Sequence, residues 1–326
     1  MKAILIRQLA DKQQSVSVEE LDSSELGEGD VTVRVSYSTL NYKDALAITG
    51  KGPVVRKFPM VPGIDFAGVV VSSDSPSFKT GDEVLANGWG MGETSWGGLA
   101  QLVRVPGSYL LKMPAGLSAR EAMSIGTAGY TAMLCVFALE DNGVLPGSGE
   151  ILVTGANGGV GSYATSLLSA RGFNVCASTG RPEHEARLKK LGAASIIPRE
   201  QLASPGRPLG KERWSGVIDS VGSHTLANAC GSTRYGGVVA ACGMAQGLDF
   251  PGSVAPFILR AVKLVGVDSV YAPTALRQRA WQALAKVPAQ VHEQIGTEVD
   301  LSGVIETCHQ LLAGQVTGRV LVNVNT

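Results

Sequence analysis

The residues with the clearest chemical potential lie mid-chain, in the run Val153-Thr154-Gly155-Ala156-Asn157-Gly158-Gly159-Val160-Gly161. The run follows Ile151-Leu152-Val153, which reads as a buried strand, and opens a segment over 160–171 with helical spacing. Glycines allow a tight turn and a close approach of backbone to ligand, and a helix start offers unpaired N–H groups and a positive dipole end. The pattern predicts a cradle for the pyrophosphate of a dinucleotide. The next strand closes on Ser178-Thr179-Gly180-Arg181. A carboxylate at this point would hold the ribose hydroxyls of NAD, and none is present. Small hydroxyls and a guanidinium suit a ribose 2′-phosphate instead, so the expected cofactor is NADPH. Arg199, after the third strand, could flank the same phosphate; a plain solvated residue at a helix start is the alternative for Arg181. Gly206-Arg207-Pro208-Leu209-Gly210-Lys211-Glu212 is not a P-loop, because no hydroxyl residue follows Lys211 and no strand precedes it.

These motifs need a frame. From Ile151 onward, strand-like runs at 174–178, 195–197, 217–220, 237–241 and 263–267 alternate with helical stretches, which predicts a doubly wound parallel sheet. Residues 1–115 carry short alternating runs at Val31–Val35, Ala67–Val71 and Leu99–Val103, separated by Gly27-Glu28-Gly29-Asp30, Val61-Pro62-Gly63 and Gly81-Asp82. Short strands between Gly and Pro turns predict a barrel or sandwich. Residues 118–140 and 275–314 read as helical, and the closing run Arg319–Val324 is expected to pair with the N-terminal domain.

Composition limits the function. The 326 residues hold 28 basic and 28 acidic side chains, and a neutral chain has no general attraction for nucleic acid or an anionic membrane surface. No unbroken apolar stretch approaches a membrane span, and Ile4-Leu5-Ile6 is too short for a signal peptide core, so the expectation is a cytoplasmic chain. Five cysteines form no C-x-x-C pair, and residues 1–134 contain neither Cys nor His, which argues against a zinc site there. Cys308 and His309 point to different faces of a helix and read as packing residues. No G-x-S-x-G occurs, which disfavours a hydrolase.

Several runs together resemble the medium-chain dehydrogenase/reductase superfamily on its zinc-independent quinone-oxidoreductase side. They are Val61-Pro62-Gly63-Ile64-Asp65-Phe66-Ala67-Gly68, Gly81-Asp82-Glu83-Val84, Gly126-Thr127-Ala128-Gly129-Tyr130-Thr131-Ala132 and the glycine turn. The segments Leu40–Gly52, Pro256–Arg260, Val267–Val270 and Gly318–Val322 resemble its NADPH-dependent acryloyl-CoA reductases. The resemblance implies an α/β chain with a GroES-like β-barrel catalytic domain (1–124, with 272–326 returning to it) and a Rossmann doubly wound parallel-sheet cofactor domain (125–271). It also implies a homodimer. Zinc-dependent relatives carry Cys near position 41 and Gly-His-Glu near 63–65, where this chain has Asn41 and Gly63-Ile64-Asp65, so no metal is expected.

By the same resemblance, Asn41, Tyr42 and Asp44 are the catalytic candidates, facing nicotinamide and substrate at the interdomain cleft. Cofactor contacts are implied for Tyr42, Thr127, Gly158 to Gly161, Ser178, Thr179, Gly180, Arg181, Arg199, Gly243, Ile258, Ser269 and Arg319. Bland alternatives stand beside three of them: a surface charge for Arg319, a turn cap for Asn41 and a core aromatic for Tyr42. The implied reaction reduces the C=C bond of a short α,β-unsaturated thioester: hydride reaches the β-carbon, charge develops on the thioester oxygen, and Tyr42 or water protonates the α-carbon. Tyr42, Asn41 or backbone N–H groups would stabilise the oxygen. Lys51, Arg56 and Lys57 form a basic cluster that could meet CoA phosphates, or an ordinary solvated loop. A quinone or enone reductase and a non-catalytic NADPH sensor are the competing readings.

Overall fold

A computed structural model describes residues 1–10 and 13–326. The chain divides into two compact units, Met1–Thr127 with Val270–Thr326, and Ala128–Ser269. The strands of the first unit begin with β1 (Lys2–Gln8), β2 (Gln14–Glu20), β3 (Val31–Leu40), β4 (Asp65–Ser73), β5 (Glu83–Asn87), β6 (Leu102–Val105) and β7 (Leu111–Lys112). The second unit contributes β8 (Glu150–Val153), β9 (Asn174–Thr179), β10 (Ser195–Pro198), β11 (Trp214–Asp219), β12 (Thr233–Ala241) and β13 (Lys263–Gly266). The chain then returns to the first unit with β14 (Gly296–Asp300) and β15 (Arg319–Asn323). Three helices matter below: α1 (Tyr42–Thr49), α2 (Ala119–Glu140) and α3 (Gly159–Ala170).

In the first unit β1 and β2 form an antiparallel hairpin, and a seven-stranded sheet runs β14-β15-β3-β4-β5-β7 with β6 on β3. Alternation along β3 turns Val31, Val33 and Val35 into a core shared with Phe66, Val70, Val84, Val320 and Val322. Each such side chain contributes about 1.5–3 kcal/mol on full burial. Register then determines which polar residues meet. Antiparallel pairing sets Val320 opposite Leu40, and Ser38 opposite Phe66. The residues one step along, Arg319, Asn41 and Asp65, therefore fall at one end of three adjacent strands.

The second unit is a parallel sheet in the order β10-β9-β8-β11-β12-β13. The order reverses between β8 and β11, where doubly wound sheets bind ligands beyond their strand ends. The turn from β8 into α3 lies at that point.

Helix α2 has the length and hydropathy of a membrane span, but 89% of that window is buried in the protein, as in a core helix. It is broken at Gly126, whose φ of 47° and ψ of −161° are not helical. Two sequence expectations need correction. The stretch 275–314 is not helical throughout, because β14 interrupts it, pairing in parallel with β15. The strand expected over 99–103 starts only at Leu102, and Ala100 makes an isolated bridge to Ala3 instead.

Candidate active site

The first unit holds a buried polar network at the start of α1. Asn41 is the N-cap residue with extended backbone, and its N–H donates to Asp44 Oδ2 at 2.9 Å. The Asn41 side-chain Nδ2 donates to Asp44 Oδ2 (3.0 Å) and to Asp65 Oδ2 (2.7 Å), while its Oδ1 accepts from Arg319 Nη1 (3.0 Å). Two acceptors on one side and a guanidinium on the other fix the orientation of this amide. Asp44 Oδ1 also accepts from Ile64 N at 3.0 Å. Asp65 takes the N–H and the hydroxyl of Thr127, at 2.9 and 2.6 Å, and lies 3.8 Å from Arg319 Nη2. Arg319, only 3% exposed, donates further to Leu40 O (3.0 Å), Thr39 Oγ1 (2.8 Å) and Ser124 O (3.3 Å).

Gly126 makes this geometry possible. A side-chain carbon there would collide with Arg319 Nη2 and sit 2.8 Å from Thr39 Cγ2 and 3.0 Å from Asp65 Oδ2. Only glycine combines that vacancy with a φ of 47°.

The electrostatics follow from burial. Asp44 is pushed up to about 6 by burial and by the charge of Asp65, against the hydrogen bonds from Asn41 and Ile64. Burial also raises Asp65, while Arg319, Thr127 and Asn41 pull the other way. Between about pH 4 and 6 the folded chain thus keeps a proton on Asp44 that the unfolded chain has released. Its contribution to stability falls as pH rises through that window, by about 3 kcal/mol in all. We expect Asp44→Asn to remove this slope. Urea unfolding of both proteins across the window checks it, and parallel curves would show that Asp44 is not shifted.

Tyr42, the first residue of α1, is 49% exposed, so it is not a core aromatic. Arg319 is not a surface charge, and Asn41 is a cap that also links two carboxylates and a guanidinium. Asp65, Thr39 and Gly126 belong to the network, although no sequence pattern had marked them as site residues.

In the second unit the glycine turn has the geometry of a phosphate cradle. Gly155 has φ 58°, Gly158 is the N-cap residue of α3, and a side-chain carbon on Gly161 would collide with Gly155 O. Gly158 is exposed and Gly159 and Val160 half-exposed, so the first amides of α3 are open to a ligand. At the end of β9, Ser178 and Thr179 are buried. Thr179 Oγ1 accepts from Asn157 Nδ2 (2.6 Å) and Arg181 N (3.0 Å), which leaves its own proton to donate. Arg199 lies across Gly180, where any side-chain carbon would collide with its guanidinium arm. Arg187, which the sequence reading missed, completes the group. Its Nη1 donates to Ser162 Oγ at 3.1 Å, its Nη2 is buried without a partner, and burial and the charge of Arg181 lower its pKa. Asn157 Oδ1 is likewise buried and unpartnered. Unpaired buried groups beside clustered guanidiniums fit a dinucleotide carrying a 2′-phosphate. Gly243 packs against Ser220 O, Ile258 is 74% exposed on the helix Ala255–Arg260, and Ser269 ends the unit.

A Rossmann sheet with this turn, joined in one chain to a GroES-like unit, defines a class of nucleotide-dependent oxidoreductases. The chain belongs to the medium-chain dehydrogenase/reductase superfamily, and within it to the quinone-oxidoreductase-like subgroup of acryloyl-CoA reductases. Residues 27–115 match the alcohol dehydrogenase GroES-like domain, and residues 159–286 the zinc-binding dehydrogenase family. The probable acrylyl-CoA reductase AcuI of Escherichia coli is 53% identical over 326 residues, covering all of both chains. Acrylyl-CoA reductase AcuI of Ruegeria pomeroyi is 48% identical, over 95% of this chain and 94% of its own. The yhdH oxidoreductase of Salmonella enterica, solved in complex with NADP, superposes with a TM-score of 0.98 at 51% identity over the whole of both chains. That family description names zinc. No cluster of three or more His, Cys, Asp or Glu suited to a metal occurs among the described residues, and Arg319 already neutralises Asp65.

Proposed function

We propose that this protein reduces the C=C bond of short α,β-unsaturated acyl-CoA thioesters with NADPH, converting acryloyl-CoA to propanoyl-CoA without a metal. Full-length likeness to two acrylyl-CoA reductases supports the substrate, and the guanidiniums of Arg181, Arg187 and Arg199 around the end of β9 support the cofactor. When bound, NADPH supplies the hydride. The chain's own work is to hold and protonate. Asn41, Asp44, Asp65 and Arg319 lock the start of α1, and so hold the backbone of Tyr42, whose side chain is half-exposed. Tyr42 Oη donates to the thioester oxygen as charge develops there, or delivers the proton to the α-carbon. Asp44 and Arg319 act through Asn41 and are positioning residues. A second copy of the chain is the proposed partner. Among the described residues β13 has no strand on its outer edge, and Ile258, Leu259 and Leu264 near it are exposed.

The deciding experiment follows NADPH oxidation with acryloyl-CoA, crotonyl-CoA and a simple quinone side by side, with NADH as control. Saturable turnover of acryloyl-CoA with NADPH is expected. Turnover of the quinone alone makes the protein a quinone reductase, and tight NADPH binding without turnover makes it a sensor. Tyr42→Phe should lower turnover by about tenfold or more, the usual scale of a positioned proton donor, with NADPH affinity near wild type. Unchanged turnover removes Tyr42 from the mechanism.

A further inference from the structure

The glycine turn and the end of β9, the two phosphate-binding candidates of the second unit, are joined by a buried side chain. Asn157 stands just before Gly158, the N-cap residue of α3, and is 4% exposed. Its Nδ2 donates to Thr179 Oγ1 at 2.6 Å. The parallel ladder of β8 and β9 ends at Val153 and Ala177. Beyond it, the turn and the strand end are linked by this bond and by Ala156 N donating to Ser178 O at 3.2 Å.

Thr179 is the hub on the other side. Its Oγ1 also accepts from Arg181 N (3.0 Å), and its carbonyl accepts from Arg199 N (2.9 Å). Arg181 and Arg199 are thus both pinned by their backbones to the residue that Asn157 holds. A shift of Thr179 carries both cations with it, relative to the open amides at the start of α3. The amide performs this task at a cost. With Nδ2 on Thr179, the Asn157 Oδ1 is buried without a partner, and a buried acceptor left unmet is destabilising. Stability alone does not call for an amide here.

We propose that Asn157 is a positioning residue for cofactor choice: through Thr179 it holds Arg181 and Arg199 at the separation from the α3 amides that the 2′-phosphate and the pyrophosphate of one NADPH molecule require. The inference rests on the NADPH reading above. NADPH carries both groups on its adenosine ribose, so its affinity depends on how far apart the site holds their partners. A preformed spacing spares the ordering that binding would otherwise demand. NADH has the pyrophosphate alone and adenosine 2′-phosphate has the other group alone, so neither needs the spacing.

The test measures Kd for these three ligands by calorimetry on the full chain. Asn157→Ala should raise Kd for NADPH about five- to tenfold, and leave Kd for NADH and adenosine 2′-phosphate within about twofold. A double-variant cycle then shows the route. In a Thr179→Val background the same substitution should change Kd for NADPH by less than about twofold, because the hydroxyl it acts through is already gone. Asn157→Ser, whose hydroxyl ends one atom short of the amide nitrogen, gives the same reading should the alanine variant not fold. An equal loss on either partial ligand, additive losses in the double variant, or an unchanged Kd for NADPH overturns the proposal. Wild type that binds NADH as tightly as NADPH refutes the NADPH reading and this proposal with it. A wild-type preference for NADPH that survives Asn157→Ala refutes the proposal alone.

Discussion

Replacing Arg319 by methionine is expected to lower the melting midpoint of the first unit by roughly 6–20 °C. Arg319 is 3% exposed and Asp65 fully buried, 3.8 Å away. Removing one partner strands a carboxylate in the interior, at about 3–5 kcal/mol, and a unit of this size loses about 2–4 °C per kcal/mol. Four further acceptors, Leu40 O, Asn41 Oδ1, Thr39 Oγ1 and Ser124 O, lose their donor as well. Two controls separate stranded charge from lost packing. Adding Asp65→Asn to Arg319→Met should recover part of the loss. The deficit of the single variant should also shrink on acidification, because the unpaired Asp65 rises further above its unfolded value and takes up a proton in the folded state. Scanning calorimetry reads both, and a midpoint within about 2 °C of wild type would show that the network does not hold this unit together.

The second large effect concerns cofactor choice. Arg181→Ala should raise KM for NADPH by roughly 10- to 150-fold, the equivalent of one charge-assisted hydrogen bond at about 1.5–3 kcal/mol, while KM for NADH stays unchanged. Arg187→Met alone should act in the same direction, since its buried Nη2 lacks a partner and its Nη1 already holds Ser162. Steady-state kinetics with both nucleotides give the ratio directly. Equal losses for NADPH and NADH would place the guanidinium away from the 2′-phosphate.

What could be read from the residues depended on distance along the chain. The glycine turn and Ser178–Arg181 sit in single βα units, where hydrophobic period and turn chemistry are local. Asn41 and Asp44 share one capping sequence, but Asp65 and Arg319 join them only because β3, β4 and β15 are neighbours in a particular register. No local pattern marks that. Strand β14 escaped because Gly296-Thr297-Glu298-Val299-Asp300 has no apolar alternation: it is an edge strand, whose strand partner among the described residues is β15. Arg187 needed the approach of the helix Glu185–Lys190 to α3 to become visible as a phosphate candidate.

The origin of β15 at the far end of the chain has a consequence for synthesis. Asp65 leaves the ribosome 254 residues before Arg319. At about 5–20 residues per second that gap lasts on the order of ten to fifty seconds. Through this interval the nascent first unit carries an acidic interior without its counter-charge and an exposed flank on β3 where β15 will pair. The second unit, encoded without interruption between the two halves of the first, can complete its sheet while the first still waits. The second unit can therefore fold before the first is complete, and the nascent first unit stays open to misassembly until Arg319 and the rest of β15 emerge.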